Sequence, residues 1–162
     1  MHIEENGNIT PCCVMPSNMH FIANGIENYK KSSKLKEIKQ YFIEDKKHPY
    51  CQFCWDAEKN GVRTQRNDGK IDLTQLKKIH LRFNNICNFK CRMCNPKFSS
   101  TWAEENKIHN YFEHEYNLEK DIFESTDELY NLIITHKNTI KQINISGGEP
   151  LISKVNYKFL QF

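Results

Sequence analysis

Three cysteines fall within eight residues, Cys87-Asn88-Phe89-Lys90-Cys91-Arg92-Met93-Cys94, a C-x3-C-x2-C pattern. Three thiolates at this spacing can serve three irons of a cubane cluster and leave the fourth iron open to an outside ligand. A ferredoxin run would instead read C-x2-C-x2-C with a fourth cysteine close by. A structural zinc site wants four protein ligands, and neither His80 nor His109 stands at a zinc-finger spacing from the cluster. A second constellation pairs the adjacent Cys12 and Cys13 with Cys51-x2-Cys54. A C-x2-C on a tight turn places two thiolates on one side of the backbone, as a tetrahedral metal site needs. The third feature is Gly147-Gly148-Glu149-Pro150, where two glycines let the backbone approach a ligand closely.

Elements must deliver these groups. Residues 78–84 alternate polar and apolar side chains, predict a strand, and run directly into Cys87. Residues 140–146 alternate likewise and end at Gly147. Between them the pattern predicts a helix over about 101–116 and a second from about 125 to 136. Ser99, Ser100 and Thr101 are N-cap candidates, with Glu104 at capping-box spacing from Thr101. Strand, helical crossover and strand make a parallel βαβ unit. Towards the N-terminus, Asn6-Gly7 predicts a hairpin whose second strand delivers Cys12. Asn24-Gly25 marks a turn, residues 33–44 a helix that Pro49 stops short of the C-x2-C, and residues 59–72 a polar linker. Two modules result, 1–70 and 75–162.

Composition narrows the function classes. The chain has 162 residues, too few for a complete (β/α)8 barrel of ~250. Its 23 Lys+Arg against 20 Asp+Glu give a net charge of +3, which makes no case for nucleic acid. A mean hydropathy of −0.74 and the lack of an apolar run near ~18 residues exclude a membrane-spanning helix. Residues 1–20 show no basic start followed by an apolar stretch, so the expected location is the cytoplasm. Seven cysteines in a reducing compartment read as metal ligands before disulfides. The histidines, His80 among them, are given no role. The lysines of residues 30–39 read as a solvated helix face.

With these residues in place, the chain resembles the radical S-adenosylmethionine (SAM) superfamily. In that family a C-x3-C-x2-C motif follows the first barrel strand, as Cys87, Cys91 and Cys94 do here, and a Gly-Gly-Glu-Pro motif ends the second strand, as Gly147 to Pro150 do. The resemblance implies a 4Fe-4S cluster on Cys87, Cys91 and Cys94, with SAM on its open iron. Gly147, Gly148, Glu149 and Pro150 would then form the SAM-binding turn. It further implies reductive cleavage of SAM, by an external one-electron reductant, to a 5′-deoxyadenosyl radical that abstracts a substrate hydrogen. Met93 and Phe89 would pack around the cluster, or be ordinary loop hydrophobes; Trp102 and Trp55 would pack in the core or shield a cluster.

The N-terminal stretch resembles the auxiliary-cluster modules of the same superfamily, SPASM and its shorter form, twitch. Gly7-x4-Cys12 followed by Cys51-x2-Cys54 carries that likeness, and the missing later cysteines favour twitch. Cys12, Cys13, Cys51 and Cys54 would then hold an auxiliary iron–sulfur cluster, with zinc the rival metal. The expected fold class is α/β: the beginning of a partial (β/α) barrel preceded by a small cysteine-rich α+β module. Only twelve residues follow Pro150, so the chain reads as a truncated member that would bind a cluster and cleave SAM poorly. The substrate, a peptide, a protein or a small molecule, is left open. The alternatives are a non-enzymatic zinc-stabilised module for nucleic acid or protein, and an electron carrier.

Overall fold

The computed structural model describes residues 1–4, 8–15, 26–64, 75–113 and 127–161. In chain order the elements are β1 (His2–Ile3), β2 (Ile9–Thr10), α1 (Ile26–Lys31), α2 (Ser33–Ile43), a 3-10 turn (Pro49–Cys51), α3 (Gln52–Lys59), β3 (Lys78–Arg82), α4 (Ser100–His109), α5 (Asp127–His136), β4 (Gln142–Ser146) and α6 (Lys154–Leu160). The fold is mixed α/β. Among the described residues four strands form one sheet in the order β2-β1-β3-β4. β3 and β4 are parallel in the register Leu81↔Ile145 and Arg82↔Ser146, as expected of the βαβ unit. β1 and β2 pair antiparallel, Ile3 opposite Ile9, and β1 also runs parallel to β3, His2 opposite His80. The hairpin that leads to Cys12 is thereby part of the same sheet as the strand that leads to Cys87.

Alternation sorts the strand residues onto two faces. Ile3, Ile9, Ile79, Leu81 and Phe83 point one way and are almost wholly buried. Ile26, Tyr29, Leu35, Ile38, Leu129, Leu132 and Phe159 join them in one core cluster. Each such side chain withdrawn from water contributes about 1.5–3 kcal/mol before entropy is counted. The other face is polar. His2, Thr10, His80 and Asn144 stand in register across it, and so do Arg82 and Ser146.

Helix ends follow local chemistry. Ser32 caps α2, its side chain accepting from the Leu35 amide, and Leu35 and Ile38 are the buried side of that helix. Ser99, rather than Thr101, caps α4. α4 ends at His109, short of the predicted residue 116. Asn110 turns left-handed there, with φ 52°. The Asn106 side chain then holds both backbone groups of Phe112, at 2.8 Å to its amide and 3.3 Å to its carbonyl. The C-x2-C lies on no isolated turn: Cys51 closes the 3-10 turn and Cys54 sits in the first turn of α3. The expected turns at Asn6-Gly7 and Asn24-Gly25, residues 65–72 of the linker, 114–116 of the first crossover helix and the start of the second lie outside the described residues.

Candidate functional site

The two motif loops meet where β3 and β4 end. The Glu149 amide donates to the Ile86 carbonyl at 2.8 Å, and the Gly148 amide donates to the Phe98 carbonyl at 2.9 Å. Gly147 and Gly148 both have positive φ, 90° and 58°. A Cβ on Gly147 would run into the Asn84 carbonyl and the Arg82 stem. One on Gly148 would lie 2.6 Å from the Ile86 carbonyl carbon and 2.7 Å from that of Asn85. Glycine is therefore needed at both places so that this turn can lie on the backbone leading into Cys87. The loop after β3 is anchored in turn. Asn84 Nδ2 donates to Ser153 Oγ at the start of α6 (2.8 Å), and Asn85 Nδ2 donates to the Pro96 carbonyl (3.2 Å). Glu149 Oε1 accepts from the Leu151 amide at 3.2 Å, and the Pro150 carbonyl accepts from Asn156 Nδ2 at 2.9 Å.

The cysteine loop lies open above this junction. Cys87 and Cys94 are half-buried and Cys91 is exposed. The Phe89 amide donates to Cys87 Sγ at 3.4 Å. The N-terminus of α4 holds the loop from the other side. Ser100 Oγ accepts from the Cys87 amide at 2.9 Å and donates to the Cys87 carbonyl at 3.1 Å. Ser99 Oγ and Thr101 Oγ1 both reach the Phe89 carbonyl, at 3.0 and 2.6 Å. Trp102 Nε1 donates to the Cys91 carbonyl at 3.1 Å, and Lys90 pairs with Glu105. Met93 is 96% and Phe89 52% exposed.

None of the seven cysteines is in a disulfide. Among the described residues no three His, Cys, Asp or Glu side chains converge tightly enough to grip one metal ion. The structure brings Cys87, Cys91 and Cys94 onto one loop without gathering their sulfurs. As a donor set they fit an iron–sulfur cluster: three thiols, with an N–H···S bond already present at Cys87.

The N-terminal cysteines part company. Cys12, Cys51 and Cys54 line a cavity of about 480 Å³ between the hairpin and helices α1 to α3. Cys13 instead lines a polar cavity of about 240 Å³ with His2, His80 and Asn144, to which Cys12 also contributes. A hydrogen bond from Cys12, then one from His80, holds the Cys13 thiol well below its ordinary range. That same hydrogen bond, then burial, raises Cys12. The position of His80 gives it a partner on each side, since its Nε2 also lies 2.7 Å from Ser146 Oγ.

A charged cluster on the polar face joins the hairpin to the cysteine loop. Glu4 Oε1 is 3.0 Å from Arg82 Nη2 and 3.6 Å from Lys97 Nζ, and it is also 3.6 Å from His2 Nε2. Burial would raise the Glu4 carboxyl, but the hydrogen bond with His2 and the charges of Arg82 and Lys97 outweigh it and hold it at about 2. The Arg82 guanidinium lies over the Phe98 ring, 4.8 Å from its centroid. Sequence patterns did not mark Glu4, Arg82 or His80. The only signal was a polar side chain at every second strand position, which also describes an ordinary wet face.

No family model matches the chain, and no solved structure matches it. Among curated proteins it is 34% identical over 84 residues to the GTP 3′,8-cyclase of Campylobacter lari, a match covering 51% of this chain. The matched stretch spans 21% of that relative's length. Among the described residues no helix is long and apolar enough to cross a membrane. This partial likeness lends support to the resemblance that the two motifs carry.

Proposed function

We propose that the chain carries the cofactor-binding part of a radical SAM enzyme. Cys87, Cys91 and Cys94 would hold a 4Fe-4S cluster, and Gly147, Gly148, Glu149 and Pro150 would receive SAM beside it. The observation that carries this reading is the contact between the two motif loops, with Glu149 and Gly148 bonded to Ile86 and Phe98. Strand ends are where parallel α/β folds place their ligands. When bound, the cluster and SAM supply the one-electron chemistry that side chains lack. The protein's own part is positional. The glycine turn holds the two loops in contact, and α4 fixes the backbone of Cys87, Phe89 and Cys91. Cys12, Cys51 and Cys54, with Cys13 beside them, would hold an auxiliary iron–sulfur cluster or zinc in a twitch-like module. The division at residues 70–75 would then separate two metal sites that share one sheet. The substrate would be a peptide, a protein or a small molecule, and an outside donor would supply the electron.

Anaerobic reconstitution with iron and sulfide tests the reading. A brown protein with about four irons bound through Cys87, Cys91 and Cys94, whose spectrum changes on adding SAM, is expected. Colourless protein carrying only zinc, or an iron content that does not fall when all three cysteines are replaced by alanine, would overturn it. 5′-Deoxyadenosine measured under reducing conditions then reads out cleavage of SAM.

A further inference from the structure

The hydroxyls at the start of α4 do more than cap a helix. Capping needs one side-chain acceptor aimed at an amide two or three residues on, and Ser99 meets that need through the Trp102 amide at 3.4 Å. Ser100 and Thr101 are not required for it. Ser100 Oγ nevertheless closes on both backbone groups of Cys87, while its amide donates to the Asn85 carbonyl at 2.7 Å. Thr101 Oγ1 joins Ser99 Oγ on the Phe89 carbonyl. The indole of Trp102 holds the Cys91 carbonyl. Four consecutive residues of one helix start thus grip three backbone positions of an eight-residue loop that is otherwise open to water.

We infer that Ser100, assisted by Thr101, is a positioning residue for the cysteine loop: it fixes the backbone at Cys87 so that this thiol is set in place before any cluster arrives. The inference rests on the proposed function, because the loop needs positioning only if its thiols bind something. Its physical basis is independent of metal. A loop with few apolar contacts opens easily unless its backbone groups are bonded, and a ligand set held in place loses less entropy on binding than a mobile one.

Hydrogen exchange of the metal-free full chain, read at the Cys87 amide, tests it directly. Ser100→Ala should speed exchange there by about tenfold, the effect of one lost hydrogen bond. Ser100→Thr, which keeps the hydroxyl, should restore protection. In the reconstituted protein, Ser100→Ala should release iron to a chelator several-fold faster than wild type, and Ser100→Thr should not. Cys87 exchange and iron release both unchanged in Ser100→Ala would overturn the inference. Should Ser100→Ala fail to fold, Thr101→Val decides: faster iodoacetamide labelling of Cys87 and Cys91 in the metal-free chain supports it, and an unchanged rate overturns it. If the wild-type chain takes up no iron, the proposed function fails, while the exchange result still judges the clamp.

Discussion

Gly148 lies against the carbonyl of Ile86 so closely that a single added methyl would be 2.6 Å from its carbonyl carbon. With φ at 58° the position also disfavours any side chain. Gly148→Ala is therefore expected to push the two motif loops apart. A loss of about 2–4 kcal/mol in urea unfolding is expected, from strain and overpacking together. A loss below about 0.5 kcal/mol, the range of an ordinary surface change, would show that the loops do not meet as described.

Glu4 gives the fold a particular acid sensitivity. Its folded-state value of about 2 lies below the ordinary 4.5, so its contribution is fully present above about pH 4.5 and is lost as pH falls towards 2. That contribution is on the order of 2 kcal/mol. Unfolding free energy compared between wild type and Glu4→Gln should show the largest gap above pH 5 and a shrinking one below pH 4. A gap independent of pH would remove the ionised Glu4–Arg82 pair from the account. Near neutrality Glu4→Gln leaves Arg82 buried without its counter-charge, and a cost of about 3 kcal/mol is expected there.

The absence of Cys13 from the lining of the larger cavity, where Cys51 and Cys54 lie, leads to unequal effects of replacing the N-terminal cysteines. In a background with Cys87, Cys91 and Cys94 changed to alanine, Cys54→Ser should abolish the remaining bound iron or zinc. Cys13→Ser should leave most of it, because that thiol shares the smaller cavity with His2 and His80. Elemental analysis reads both. Equal losses would place Cys13 among the ligands.

Leu81 is fully buried in β3. Leu81→Ala is expected to cost about 2–5 kcal/mol by transfer and cavity formation, measured by thermal or urea unfolding. Because β3 carries the chain directly into Cys87, iron uptake should fall with it.

The placement of the two motif loops was legible because its signals are local. Alternation marked β3 and β4, and the cysteine and glycine motifs follow at their ends. What local patterns do not carry is pairing at long range. β1 joins β3 through two register positions, His2↔His80 and Ile3↔Leu81, and nothing in either short stretch announces the other. The role of His80 was invisible for the same reason, since its partners Cys13 and Ser146 come from distant segments. The glycines were read as room for a ligand, and their first observed use is room for the neighbouring backbone. The predicted reach of α4 failed because helical periodicity says nothing of the side-chain bonds by which Asn106 turns the chain at Phe112.

The tie between the first residue and β3, Met1 nitrogen to the Lys78 carbonyl at 3.1 Å, joins positions 77 residues apart. Synthesis at about 5–20 residues per second puts roughly 4–15 s between the two. Through that interval β1 and β2 have only each other to pair with, because β3 has not yet been made. Cys12, Cys51 and Cys54 have all been made by then, ahead of the strand that secures the hairpin. On the proposed function, metal arriving early would meet loose thiols on a growing chain, and the timing of its delivery relative to translation would bear on how that site fills.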